Sequence, residues 1–179
     1  MSKPISVILP CYNVASFLDR SIGSVLCQTR AVHQIIAADD CSRDDTVAKL
    51  KTFGPKVDVL TAARNEGPAA RRNDALRMST GDYIALLDPD DWWDENHVEA
   101  VAGLLDRCPD AGVAFSKVRL AGDSSGIWPG CTLSSDRPMD MLQPLMRNTV
   151  IQASSVIFRR EVIDRIGFFE DWMETVGGR

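Results

Sequence analysis

Two groups of carboxylates have the types and spacing to do chemistry. Asp39-Asp40 follows one apolar run, and Asp88-Pro-Asp90-Asp91 follows another. Carboxylates gathered this closely repel one another, and a hard divalent cation with oxygen ligands relieves the repulsion and can bridge to a diphosphate. Between the two groups lies Asn65-Glu-Gly67-Pro-Ala-Ala-Arg71-Arg72-Asn73, a glycine-containing loop entering a helix whose first turn bears two arginines. A helix N-terminus beside guanidinium groups suits a phosphate, although Arg71 fits an exposed helical face equally well. Ser42 can cap the helix after Asp39-Asp40, which leaves Asp40 free for another task. Asp91 and Asp94 suit a helix N-terminus, and Trp92 and Trp93 suit packing at the mouth of a pocket.

These residues need elements that bring them together. Ile5-Ser-Val-Ile-Leu9 is a short β-branched run ended by Pro10, and Ser16 to Cys27 places Leu18, Ile22, Val25 and Leu26 on one helical face behind a Ser16/Asp19 capping box. Gln34 to Ala38 reads as a second strand, Ser42 and Asp45 open a helix to about Phe53, and Gly54-Pro55 stops it. Val57 to Leu60 is a third strand, Pro68 is placed as the first residue of a helix running to about Met78, and Gly81 offers positive φ after it. Tyr83 to Leu87 is the most hydrophobic strand and belongs in the middle of the sheet. Asp94 caps a helix from Glu95 to Arg107, and Gly112 to Leu120 reads as a fifth strand.

Beyond residue 120 the pattern weakens. Ala121 to Asp136 reads as a loop, Pro138 to Arg147 as a helix, Val150 to Phe158 as a strand and Glu161 to Ile166 as a short helix. Strands alternating with helices predict an α/β fold, a three-layer α/β/α Rossmann-like arrangement around a mostly parallel sheet. In such a sheet both acid groups fall on the carboxyl edge, where open α/β folds bind ligands.

Composition excludes other classes. The 179 residues carry 20 Lys and Arg against 25 Asp and Glu, a net charge of −5 that argues against nucleic acid as a partner. Apolar residues at 45% and charged residues at 25% are those of one globular domain, which at this length buries about 70% of its chain surface. No run reaches the length of a membrane span, and the apolar stretch before Pro10 is too short for a secretory signal, so the expected location is the cytoplasm. Five scattered cysteines without a C-x-x-C pair, and only His33 and His97, fit neither a disulfide framework nor a zinc site. Dinucleotide, P-loop and H-E-x-x-H signatures are lacking. Gly122-Asp-Ser124-Ser-Gly126 matches G-x-S-x-G, but it has no strand-turn-helix context and no histidine after His97.

Ser6-Val-Ile-Leu-Pro-Cys-Tyr-Asn13, Ser24-Val-Leu-Cys-Gln-Thr29, Asp39-Asp-Cys-Ser42 with Asp45-Thr46, Ala70-Arg-Arg-Asn73 and Gly81-Asp-Tyr-Ile-Ala-Leu-Leu-Asp-Pro-Asp-Asp91 together resemble the inverting family 2 glycosyltransferases of the GT-A fold. The likeness runs in order from residue 4 to about 120. It implies a nucleotide-sugar donor, usually a UDP-sugar, and a Mn²⁺ or Mg²⁺ ion held by the D-x-D motif, here Asp88-Pro89-Asp90. By position, Pro10 and Tyr12 would border the nucleobase with Tyr12 stacking, and Asp40 would contact the uracil. Asp88 would sit at the ribose or the metal's water shell, Asp90 would ligate the metal, and Arg72 would lie near the base or phosphates. The implied acceptor is a glycan or a lipid-linked glycan, met by a peripheral protein at the inner face of the membrane.

An inverting transfer also needs a general base for the acceptor hydroxyl. In the resembled family this is an acid in a Glu-Asp motif well beyond the D-x-D. Either Glu170-Asp171-Trp172 is that motif, with Asp171 the base, or it matches the preceding turn and the motif falls past Arg179; spacing favours the second. Residues 1–120 are then the donor half of one domain, and 121–179 a partial acceptor half. Two rivals share part of these features. A non-catalytic nucleotide-sugar binding module would keep the donor site without the base. A haloacid-dehalogenase-like phosphatase would use Asp88 as nucleophile and Asp90 as acid, but leaves Asp39, Asp40 and Tyr12 without a task.

Overall fold

A computed structural model of the chain describes residues 2–122, 125–128, 137, 139–141 and 151–170. The elements are β1 (Ile5–Cys11), α1 (Leu18–Leu26), β2 (Gln34–Asp39), α2 (Thr46–Thr52), β3 (Asp58–Thr61), α3 (Pro68–Met78), β4 (Tyr83–Leu86), α4 (His97–Arg107), β5 (Val113–Phe115), β6 (Arg119–Leu120), β7 (Gly126–Ile127), β8 (Val156–Arg159) and α5 (Arg160–Ile166). Six strands form one sheet in the order β3-β2-β1-β4-β8-β5, and β6 and β7 pair as a short separate ribbon. β1 lies parallel to β2 and β4, and β2 to β3, whereas β8 runs antiparallel to both β4 and β5.

The period-2 alternation of side chains sorts the core into two layers. Val7, Leu9, Ala37, Tyr83, Ala85 and Leu87 face Leu18 and Ile22 of α1, Leu50 of α2, and Val98 and Leu105 of α4. Ile8, Ile36, Ala38, Ile84, Leu86 and Phe158 face Ala75 and Leu76 of α3 and the apolar side of α5. β1 and β4 are apolar on both faces and occupy the middle of the sheet, as a strand covered by helices on both sides must.

Several local expectations give way to longer-range contacts. α1 begins at Leu18 behind Phe17 with no side-chain cap, so Ser16 and Asp19 form no capping box, and Leu26 is exposed. α4 starts at His97 behind Asn96, which leaves Asp94 and Glu95 in the preceding turn. Gly81 does not take positive φ. A Cβ there would lie 2.6 Å from the Ser6 backbone nitrogen and 2.9 Å from Ser6 Oγ, so glycine is required by the close approach of β1. The predicted fifth strand divides into β5 and β6, and the strand expected from residue 150 shortens to β8 after a 3-10 turn at Ala153–Ser155. Ser124 and most of the helix expected at residues 138–147 lie outside the described residues.

Candidate active site

The loops after β1, β2 and β4 meet at the carboxyl edge of the sheet, and the two acid groups come together there. Pro10 pairs in register with Ala38 and Cys11 with Asp39; the Asp40 amide continues that ladder by donating to the Cys11 carbonyl at 2.8 Å. Cys11 is a core thiol, pushed up to about 12 by burial and by the Asp39 charge, which keeps it protonated at neutral pH.

Two non-glycine residues at this edge have left-handed backbone, Asn13 at φ 53° and Cys41 at φ 61°. They let the β1 and β2 loops interlock. The Asn13 amide donates to Ser42 Oγ (2.9 Å), the Arg43 amide to Asn13 Oδ1 (2.8 Å), and the Val14 amide to Thr46 Oγ1 (2.8 Å). Ser42 therefore serves the loop junction and does not cap α2, which starts behind Asp45 with no side-chain cap. Tyr12, next to the interlock, is 43% exposed, and Pro10 is buried.

Asp40 is buried, and each of its oxygens accepts a backbone amide, Oδ1 from Glu66 (2.9 Å) and Oδ2 from Gly67 (2.8 Å). Gly67, at φ 89°, makes the bend that Pro68 then turns into α3. Asp40 thus fixes the loop that opens the arginine helix. Arg71 is buried rather than on an exposed face; it bonds Glu66 Oε2 at 2.8 Å and Asp74 Oδ2 at 3.1 Å, and its Nε lies 3.4 Å from Asp40 Oδ1. Arg72 reaches across the edge to Asp88 Oδ1 at 2.7 Å, while its Nε is covered and has no hydrogen-bond partner. Part of the carboxylate repulsion is therefore relieved by the arginines of α3 themselves.

Asp88, Pro89, Asp90 and Asp91 form a β-turn closed by the Asp91 amide on the Asp88 carbonyl (3.0 Å), with proline at the position such turns favour. Asp91 does not serve a helix N-terminus. Its Oδ2 accepts the Ser154 hydroxyl at 2.6 Å, and the same Ser154 oxygen accepts the Asp88 amide at 3.0 Å. Desolvation raises the Asp91 carboxyl above its ordinary value; the Ser154 bond opposes this, and the charges of Asp90 and Asp88 add to it. Trp93 packs in the core and donates its Nε1 hydrogen to the Ser154 carbonyl at 2.6 Å, and Trp92 lies under the Arg20 guanidinium.

Three residues that hold this edge carry no local signal for their tasks. Ser154 is one. Gln28 is the second: its amide donates to the Asp94 carbonyl (2.8 Å) and its oxygen accepts the Val98 amide (2.8 Å), tying α1 to the start of α4. Asn73 is the third, in a reciprocal pair with the backbone of Phe169, 2.9 Å in each direction. That pair docks the segment leading to Asp171 against α3; Asp171 itself lies outside the described residues.

The same fold recurs in known proteins. The S. aureus protein TarS (residues 1–349, in complex with UDP) superposes with a TM-score of 0.81 at 20% identity, over 96% of this chain and 52% of that one. A mannosyltransferase from Pyrobaculum calidifontis, solved with GDP-Man and Mn²⁺, gives 0.71 at 19% identity, over 96% of this chain and 48% of that one. At these identities the likeness is one of fold, the GT-A type. In sequence, a UDP-Glc:alpha-D-GlcNAc-diphosphoundecaprenol beta-1,3-glucosyltransferase of Escherichia coli is 40% identical over 102 residues, 56% of this chain and 40% of the relative. An uncharacterized glycosyltransferase of Nostoc is 30% identical over 170 residues, 90% of this chain and 52% of the relative. The chain spans about half the length of these relatives or less. The glycosyl transferase family 2 profile matches residues 6–167, from the first core strand through α5 and across every loop of the carboxyl edge, and the chain belongs to that family.

Proposed function

We propose that the chain carries the donor site of a metal-dependent, inverting glycosyltransferase that takes a UDP-sugar and glycosylates a hydroxyl of a glycan or lipid-linked acceptor. One observation carries the reading. Asp39, Asp40, Asp88 and Asp91 are each engaged by the fold, whereas Asp90 is exposed and makes no hydrogen bond or ion pair with a described residue. A turn that ties down its other carboxylates and leaves one pointing outward offers that one to an external cation.

The residues fit such an ion. Among the described residues no three acidic, histidine or cysteine side chains are grouped closely enough to form a closed metal cage. Mg²⁺ and Mn²⁺ need none here, because one or two carboxylates suffice when diphosphate oxygens and water complete the shell. Asp90 and the second oxygen of Asp88 supply that much, and the bound ion would contribute Lewis-acid neutralisation of the leaving diphosphate.

The chain's own residues do the rest of the binding. Tyr12 offers an exposed ring for a uracil to stack on, and Pro10 borders the nucleobase beside it. Asp40 shapes the base pocket through the 66–67 loop, and its remaining lone pairs can accept from the uracil. Arg72, held at the edge by Asp88, brings a guanidinium charge to the phosphates. The acceptor proton passes to a carboxylate beyond Phe169, Asp171 under one placement of the motif and a residue past Arg179 under the other. The E. coli relative's name specifies UDP-glucose and a lipid diphosphate, which supports both a UDP-sugar and a lipid-linked acceptor. No helix among the described residues is long and apolar enough to cross a membrane. In this reading the acceptor is met at the cytoplasmic membrane surface.

Calorimetric titration of UDP with and without Mn²⁺ tests the proposal. Mn²⁺ is expected to tighten binding, and Asp90→Ala to remove about tenfold or more of that gain, the equivalent of one strong contact. Binding that is unaltered in Asp90→Ala would count against the site.

A further inference from the structure

Ser154 belongs to none of the motifs in the first 120 residues, yet its hydroxyl acts on the acid turn at both ends. It accepts the amide of the turn's first residue, Asp88, and donates to the carboxylate of its last, Asp91. Both capacities of one buried hydroxyl are thus spent on a single four-residue turn, from a position 63 residues away in sequence. We propose that Ser154 is a positioning residue for the metal and diphosphate end of the donor site. Its clamp fixes the turn so that Asp90 projects from the edge and Asp91 is drawn aside.

Two features separate this from a purely structural role. The Trp93 contact uses the Ser154 backbone carbonyl and survives any side-chain replacement. Sheet pairing by β8 starts only at Val156. The hydroxyl is therefore not what anchors β8 in the sheet; the atoms it serves are those of the acid turn. The proposal rests on the donor-site reading above.

Ser154→Ala removes the clamp and leaves the carbonyl contact. In UDP titrations the variant is expected to lose about tenfold in Mn²⁺-dependent affinity, the size of one charge-assisted hydrogen bond. Metal-free UDP binding and the thermal midpoint should stay close to wild type, and Ser154→Thr, which keeps the hydroxyl, should restore most of the loss. Without any ligand, hydrogen exchange at the Asp88 amide should accelerate about tenfold in Ser154→Ala. If the alanine variant folds poorly, the near-isosteric Ser154→Cys gives the same changes at reduced size. Unchanged Mn²⁺ dependence and unchanged Asp88 exchange would overturn the proposal, as would an equal loss of metal-free and metal-dependent binding. A wild-type chain that binds UDP no better with Mn²⁺ would instead refute the donor-site reading and take this proposal with it.

Discussion

His97 gives the fold a pH dependence that can be worked out from its surroundings. The imidazole is 8% exposed, stacks on Trp93 with ring centroids 4.7 Å apart, and has Nε2 buried without a partner. Burial pushes it down from 6.5 to about 4, against a smaller opposing pull from Asp94. Between those two values the unfolded chain binds a proton that the folded chain refuses, so stability rises with pH across that window and falls on acidification. At about 1.4 kcal/mol per pKa unit the full effect is about 3 kcal/mol, of which about 2 kcal/mol separates pH 7 from pH 5. His97→Phe keeps a ring on Trp93 and removes the titration. Urea unfolding of both proteins at pH 7 and pH 5 should show wild type losing about 2 kcal/mol more than the variant, equivalent to roughly 4–8 °C in thermal midpoint. Equal losses in the two proteins would refute the account. The effect bears on the site because Trp93, the stacking partner, is also the residue that holds the Ser154 carbonyl.

Two further substitutions test the positioning of the edge. Gly81→Ala places a methyl group 2.6 Å from the Ser6 nitrogen in the central strand, backbone that cannot yield, and should cost about 3 kcal/mol by denaturant unfolding; a loss under 1 kcal/mol would mean that β1 and the Gly81 turn are not in close contact. Asn73→Ala removes both bonds to Phe169 and, under the proposed function, should lower sugar transfer about tenfold while UDP affinity stays close to wild type; equal losses in both would show that the pair supports the donor side instead.

The parts of this molecule legible in the sequence are those written locally. Periodicity and β-branching located β1 through β4 and the helices between them, and Pro68 marked the first residue of α3 because its fixed φ and missing N–H suit only that position. Alternation with helices then put both acid groups on one edge. The misread positions share a physical cause: a short polar side chain close to a helix start looks like a cap, although its hydroxyl or carboxylate can serve a loop far away in sequence. Ser42 bonds Asn13, and Asp91 bonds Ser154. Gly81 differs from expectation for a related reason, because a tight approach between strands and a left-handed bend both call for glycine and only the first operates here. The antiparallel course of β8 left no trace, since four residues, Val156 to Arg159, pair equally well in either direction.

These long-range contacts also change how the acid edge is understood. Taken as a sequence, Asp39, Asp40, Asp88, Asp90 and Asp91 form a block of charge that calls for a cation as a whole. In the fold that charge is apportioned. Asp40 is held by two amides beside Arg71, Asp88 by Arg72, and Asp91 by a serine just ahead of β8, the strand beside β4. Each such bond occupies carboxylate oxygens that would otherwise be open to an incoming metal, and leaves the second oxygen of Asp88 uncommitted. Under the proposed function the cation falls to Asp90 and the second oxygen of Asp88, and the first oxygen of Asp88 holds the Arg72 guanidinium at the same turn. Under the proposed function that arrangement favours a metal-bound diphosphate over a bare metal or a bare phosphate. Arg72 alone would attract any anion and Asp90 alone any cation, whereas the pair favours a ligand that brings both charges.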